Sequence, residues 1–235
     1  MPRIIFFGTP EFAVSTLDAL VRNGYEVVAV ITAPDKPAGR GKKLTSPPVK
    51  LYAESQNIPV LQPLKLKNED FLRQVRELKP DIQVVVAFRM MPRELWSIPP
   101  KGTFNLHASL LPQYRGAAPI NWAIINGEKE TGLTTFFIDE KIDTGEIIFR
   151  EKIQIGDNET AGQLHDRMMR EGASLVLKTV QAIDKGTVKT QPQPGLDKGQ
   201  TELKAARKRV KEDCKIDWTR PAKSVFDLIR GLSPY

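Results

Sequence analysis

Two stretches of this chain hold side chains able to do chemistry. In Phe104-Asn105-Leu106-His107-Ala108-Ser109-Leu110-Leu111-Pro112 an amide and an imidazole stand two positions apart. Side chains alternate along a strand, so Asn105 and His107 project from one face and Leu106 from the other. An amide donor beside an imidazole can stabilise a developing oxyanion and move a proton. The same pair also suits a hydrogen-bonded structural histidine. The second stretch, Ile138-Asp139-Glu140-Lys141-Ile142-Asp143-Thr144-Gly145-Glu146, offers two aspartates on a loop after a strand. A carboxylate brought near His107 would fix its tautomer, whereas a solvated acidic turn would do nothing of the kind. The aspartates lack the spacing of a calcium loop. Gly8-Thr9-Pro10-Glu11 has one glycine and no Gly-Lys-Ser/Thr, so it reads as a tight strand-to-helix turn rather than a phosphate cradle. The other histidine, His165, lies inside a helical stretch and reads as a packing or helix-surface residue.

The elements that must position these groups follow a regular alternation. Ile4-Ile5-Phe6-Phe7 is an apolar run typical of a buried strand. Gly8-Thr9-Pro10 then turns the chain, with Thr9 expected as N-cap and Pro10 at the first helical position. Ala13, Leu17, Leu20 and Val21 share a helical face, Asn23-Gly24 stops that helix, and Glu26–Ile31 is a second buried strand. Further helices are expected over 49–57, 68–78, 118–126, 160–183 and 221–232. Further strands are expected over 59–61, 81–88, 103–107, 133–138 and 146–155. Strands and helices in alternation, with strands apolar throughout, predict an α/β fold: a Rossmann-like, doubly wound, mostly parallel sheet. Such a sheet places its site beyond the carboxyl ends of its strands.

The chain has 235 residues, 40% of them hydrophobic and 27% charged, the composition of a globular protein. One cysteine, Cys214, and two histidines exclude disulfides and Cys/His zinc clusters, and no metal is expected. No apolar run approaches the ~20 residues that span a bilayer, and no signal peptide is visible. The expectation is a cytoplasmic protein, monomeric and free of any membrane. Net charge is +7. Residues 35–50 and 198–215 each carry a local +4, so the rest of the chain is nearly neutral. Two compact basic segments suit a polyanion docking at defined places.

These pieces resemble the folate-dependent formyltransferases. Four stretches carry the resemblance: Phe7-Gly8-Thr9-Pro10-Glu11-Phe12-Ala13, residues 34–43 (Pro-Asp-Lys-Pro-Ala-Gly-Arg-Gly-Lys-Lys), residues 105–116 (Asn-Leu-His-Ala-Ser-Leu-Leu-Pro-Gln-Tyr-Arg-Gly) and Asp143-Thr144-Gly145. The basic 34–43 loop resembles that of the members acting on tRNA rather than those of the sugar or purine-pathway branches. The resemblance implies formyl transfer from 10-formyltetrahydrofolate to the α-amine of initiator methionyl-tRNA, a step of translation initiation. It implies Asn105, His107 and Asp143 as the catalytic trio. It implies that Phe88, Arg89, Met90, Met91, Ser109, Leu110, Leu111, Pro112 and Asp139 surround the folate. It also implies that Lys36, Arg40, Lys42 and Lys43 meet the tRNA, with Arg40 as the main contact. Residues 1–187 then form the catalytic domain and 188–220 a basic linker. Residues 221–235 begin a C-terminal domain whose remainder lies beyond the chain.

One departure is Phe88-Arg89-Met90-Met91, where the family commonly has Tyr-Gly and aliphatic residues; Arg89 adds bulk and charge. Two rival readings remain. A formyltransferase acting on a nucleotide-linked amino sugar would share the trio and the Ser-Leu-Leu-Pro segment but has no use for the basic loop. A non-enzymatic RNA-binding module would use both basic segments and leave the trio idle.

Overall fold

The computed structural model describes residues 1–38, 43–194, 196 and 202–234. The apolar run at the amino end forms β1 (Arg3–Gly8), followed by α1 (Glu11–Arg22) and β2 (Glu26–Ile31). A short antiparallel hairpin, β3 (Lys36–Ala38) and β4 (Lys43–Thr45), stands on the carboxyl side of β2. Next come α2 (Pro48–Ser55), β5 (Val60–Leu61), α3 (Glu69–Glu77), β6 (Ile82–Val86), α4 (Arg93–Trp96) and β7 (Thr103–His107). The chain continues through β8 (Arg115–Gly116), α5 (Pro119–Ile125), β9 (Glu130–Phe137), β10 (Ile147–Gln154) and α6 (Ala161–Asp184). It then passes through β11 (Ala205–Ala206) to α7 (Ala222–Leu232).

Seven strands make one sheet in the order β10-β9-β7-β6-β1-β2-β5. The five from β5 to β7 are parallel; β9 and β10 are antiparallel additions at one edge. The expected mostly parallel, doubly wound sheet is therefore present, and its order reverses between β1 and β6. One face of the sheet (Ile4, Phe6, Val84, Val86, Phe104, Leu106) packs against α1, α5 and α6. The other (Ile5, Phe7, Ala29, Ile31, Val85) packs against α3 and α4. Leu106 beds against Gly172 of α6, where any Cβ would collide with it. Burial on both faces is why the central strands carry no polar alternation.

Two expected details shift, each for a local reason. Pro10 is itself the N-cap of α1, in an extended conformation with ψ 174°, and the helix begins at Glu11 rather than at Pro10. The Pro10 carbonyl accepts the Ala13 N–H, so Thr9 has no capping task. The strand expected to reach Phe88 ends at Val86, because Ala87 takes φ +48° and swings Phe88–Met91 across the end of β6.

The described parts of the polar stretch after α6 touch the body. Gln191 exchanges two backbone hydrogen bonds with Ile147, and Ala205–Ala206 pairs in parallel with Arg115–Gly116. The helix α7 docks on α5: Asn121 Nδ2 donates to the Gly231 carbonyl, and Gly231 admits Ile125 where a Cβ could not fit. Among the described residues no helix is long and apolar enough to cross a membrane.

Candidate active site

A hollow of about 610 Å³ opens where the strand order reverses, beyond the carboxyl ends of β1, β6 and β7. That is the position the topology favours for a ligand, and the size suits a small organic molecule. Its walls come from the turn after β1, from Ala87–Met91, from Asn105–Ala108, from Gly116–Asn121 and from the 138–143 loop. Asn105 and His107 both reach it, as alternation along β7 requires.

The imidazole is held by a backbone group. His107 Nε2 lies 2.9 Å from the Tyr114 carbonyl oxygen. A carbonyl only accepts, so Nε2 carries the proton and the lone pair of the neutral ring is on Nδ1. Nδ1 faces Asp143 Oδ2 at 3.8 Å, too far for a hydrogen bond. The ring is therefore oriented by Tyr114 rather than by Asp143. Tyr114 is well anchored for this task. Its backbone sits at φ +58° and its ring is buried. Its hydroxyl donates to Glu128 at 2.6 Å and accepts from Asn126 at 3.2 Å. Burial first, and Glu128 second, push the phenol well above its ordinary pKa, so it stays neutral.

Asp143 is placed by its own backbone and by one amide. It has φ +55°, and its Oδ2 accepts the Gly116 N–H at 2.9 Å. The loop approaches β9 so closely that a Cβ on Gly145 would overlap the Phe137 carbonyl, which explains the glycine of Asp143-Thr144-Gly145. No Lys or Arg pairs with Asp143 among the described residues. The Asn105 amide likewise has no hydrogen-bond partner among them and is available to a ligand.

The expected folate-contacting residues divide. Phe88, Arg89, Met90, Met91 and Asp139 line the hollow. Phe88 packs edge-on against Phe7 at 5.5 Å, and Met91 is buried with α4 behind it. Arg89 turns its guanidinium outward to the carbonyls of Pro63 and Leu64, so its added bulk leaves the apolar floor intact. Asp139 closes its own loop by accepting from Thr144 Oγ1 at 2.7 Å. Ser109, Leu110, Leu111 and Pro112, expected at the folate, do not line the hollow but brace it from behind. Ser109 Oγ donates to the Gln113 carbonyl, and Leu111 is buried with Phe136 and Ile147. Leu110 packs over Gly132 and faces a separate, smaller depression. The chain turns over immediately after His107, which takes these four side chains away from the strand ends.

His165 packs edge-on against Phe12 at 5.2 Å, as expected of a packing residue, and also forms part of the cleft wall. Of the residues expected at tRNA, Lys36 is exposed on β3 and the backbone of Lys43 lies in β4. Arg40 and Lys42 lie outside the described residues. Three contributors to the site carried no signal of residue type: the Tyr114 carbonyl, the Gly116 N–H and the turn at Ala87. Among the described residues no three His, Cys, Asp or Glu side chains gather as a metal would require.

Comparison with known proteins agrees with this geometry. Residues 2–180 match the model of a family described as formyl transferase. The chain is 57% identical over 233 residues to a methionyl-tRNA formyltransferase of Bacteroides fragilis, covering 99% of this chain and 72% of that protein. It is 56% identical to the methionyl-tRNA formyltransferase of Flavobacterium johnsoniae, covering 99% and 73%. A solved N-formyltransferase from Helicobacter canadensis, in complex with folinic acid and dTDP-3-aminofucose, superposes with a TM-score of 0.75 at 26% identity. That alignment covers 98% of this chain and 80% of the other. By sequence across nearly its whole length and by fold, this chain belongs to the formyl transferase family.

Proposed function

We infer that the protein transfers the formyl group of 10-formyltetrahydrofolate to the α-amine of methionine esterified to initiator tRNA. The observation that carries this reading is the near full-length similarity to methionyl-tRNA formyltransferases. The cleft fits the donor, with an apolar floor of Phe88, Met91 and Ile138 beside uncommitted polar groups. The donor is a substrate, consumed at each turnover.

In the reaction the amine nitrogen bonds to the formyl carbon, whose oxygen becomes negative, and the bond from that carbon to the folate nitrogen then breaks. Asn105 has a free amide for the oxygen. His107 Nδ1 is the ring nitrogen that faces the cleft; protonated, it supplies a second donor to the same oxygen. The proton comes from the attacking amine through Asp143, whose carboxylate also steadies the imidazolium. It then passes to the departing folate nitrogen, so charge and protons balance. Donors held at an oxyanion are each worth about 3–4 kcal/mol. Residues 1–187 carry this chemistry, and the basic 36–43 and 188–220 stretches serve the polyanionic acceptor.

Single-turnover formyl transfer tests the assignment. Asn105→Ala, His107→Ala and Asp143→Ala should each slow transfer about 10²- to 10³-fold. Near-normal rates in all three would overturn it. Offering labelled donor with methionyl-tRNA and, separately, with a nucleotide-linked amino sugar should label only the tRNA.

A further inference from the structure

Gln193 lies in the polar stretch after α6, in a Gln-Pro-Gln-Pro run that reads as connecting chain. Its side chain is nevertheless buried, at 1% exposure, and every polar atom of it is used. Nε2 donates to the Asp143 carbonyl at 3.0 Å and to the Gly145 carbonyl at 2.8 Å. Oε1 accepts from Arg115 Nε at 3.1 Å and Nη2 at 2.5 Å. The next residue along from Arg115, Gly116, gives its N–H to the Asp143 carboxylate. The bonds therefore close a circuit: Arg115 side chain, Gln193 amide, Asp143 backbone, Asp143 carboxylate, Gly116 backbone.

We propose that Gln193 is a positioning residue for Asp143, holding the carboxylate against the His107 side of the cleft. The physical need is plain. A non-glycine residue with positive φ is strained and persists only where its surroundings fix it. Gln193 grips the carbonyls on both sides of Thr144, so it pins the backbone of the loop that carries the strained residue. It is itself pinned by the Gln191–Ile147 bridge on one side. On the other, Leu196 packs on Leu111, Phe136 and Ile147. The segment beyond α6 is thus part of the active-site frame.

This inference rests on Asp143 acting in formyl transfer, and the test separates the two. Gln193→Glu keeps an acceptor for Arg115 but has no hydrogen to give the two carbonyls; Gln193→Met keeps the length, carries no charge and can make neither set of bonds. Each should lower the single-turnover rate about 10- to 100-fold, or ~1.4–2.8 kcal/mol at 1.4 kcal/mol per decade. KM for the formyl donor should change less than about twofold, since Gln193 is outside the cleft wall. The diagnostic result is in the double variants: added to Asp143→Asn, either change at 193 should cost nothing further, because the carboxylate it positions is gone. Additive losses would mean a general structural role and overturn the proposal. A slow Asp143→Asn beside a Gln193→Met of parental rate would also overturn it while leaving Asp143 catalytic. An Asp143→Asn of parental rate would remove the assignment of Asp143 first, and the positioning role with it.

Discussion

Asp143 and Asp227 are both largely withdrawn from water, and the protein treats them in opposite ways. Asp227, on α7, accepts from Lys223 Nζ at 2.5 and 2.6 Å and from Arg230 Nε at 2.8 Å. Arg230 is itself 4% exposed and also donates to the Gly156 and Glu159 carbonyls. Burial works against the charge on Asp227, but the bonds from Lys223 and Arg230 prevail and hold its pKa below the usual carboxylate range. Asp143 has one amide partner, no cation among the described residues, and a strained backbone. A carboxylate saturated by two cations fastens a helix and has nothing left for a proton. One held by a single amide keeps lone pairs facing the cleft. Incomplete satisfaction, enforced by a rigid frame, separates the carboxylate proposed to act in transfer from the structural one.

The contrast breaks most visibly at α7. Asp227→Ala leaves Arg230 buried without its counter-ion and should cost about 3–5 kcal/mol of stability. Single-turnover formyl transfer at a temperature where the variant stays folded should match the parent. A thermal midpoint that does not move would show that the pair holds nothing; a slowed transfer step would show that α7 reaches into the chemistry.

A smaller effect should appear in acid. The folded pKa of Asp227 is depressed, so its stabilising contribution is complete above an unfolded value of about 4 and fades as pH drops through the folded value. Urea unfolding midpoints between about pH 2 and 5 should therefore fall less steeply for Asp227→Asn than for the parent. Parallel curves would mean that the pKa of Asp227 is the same in the folded and unfolded chains.

What the sequence disclosed and what it withheld divide along the same line. The strands at 3–8, 26–31 and 82–86 were legible because burial on both faces leaves an unbroken apolar run. The long helix over 160–183 was legible from its apolar spacing, and the structure starts it with a capping box of Thr160 and Gln163. Asn105 and His107 could be paired by alternation alone. Asp143 could not be joined to them from spacing, since the connection is made by a loop folding back over β9. The orienting role of Tyr114 was invisible because a backbone carbonyl has no residue type. Gln193 was hidden by composition: Gln and Pro in a polar run predict a connector, and only tertiary contact reveals the buried amide. The antiparallel edge strands β9 and β10 were found as strands, but their direction depends on partners far away in the chain.

The smallest expected effect extends the same rule to the cations. Several basic side chains are already satisfied: Lys50 by Asp35, Lys204 by Glu128 and Arg207 by Asp213. Lys36 is exposed and has no ion pair among the described residues, and the same holds for Lys208, Lys211 and Lys215. The hairpin carrying Lys36 follows the carboxyl end of β2, the end of the sheet on which the cleft opens. If the basic 34–43 stretch meets phosphates, replacing Lys36, Arg40, Lys42 and Lys43 with alanine should weaken tRNA binding and flatten its log–log salt dependence. The slope should fall by about 0.7–0.9 for each phosphate that is no longer neutralised. Lys50→Ala should leave the slope unchanged, because that ammonium is spent on Asp35. Equal slopes for the parent and the quadruple variant would place the acceptor's phosphates elsewhere, and a slope lowered by Lys50→Ala would show that a paired cation can still be recruited.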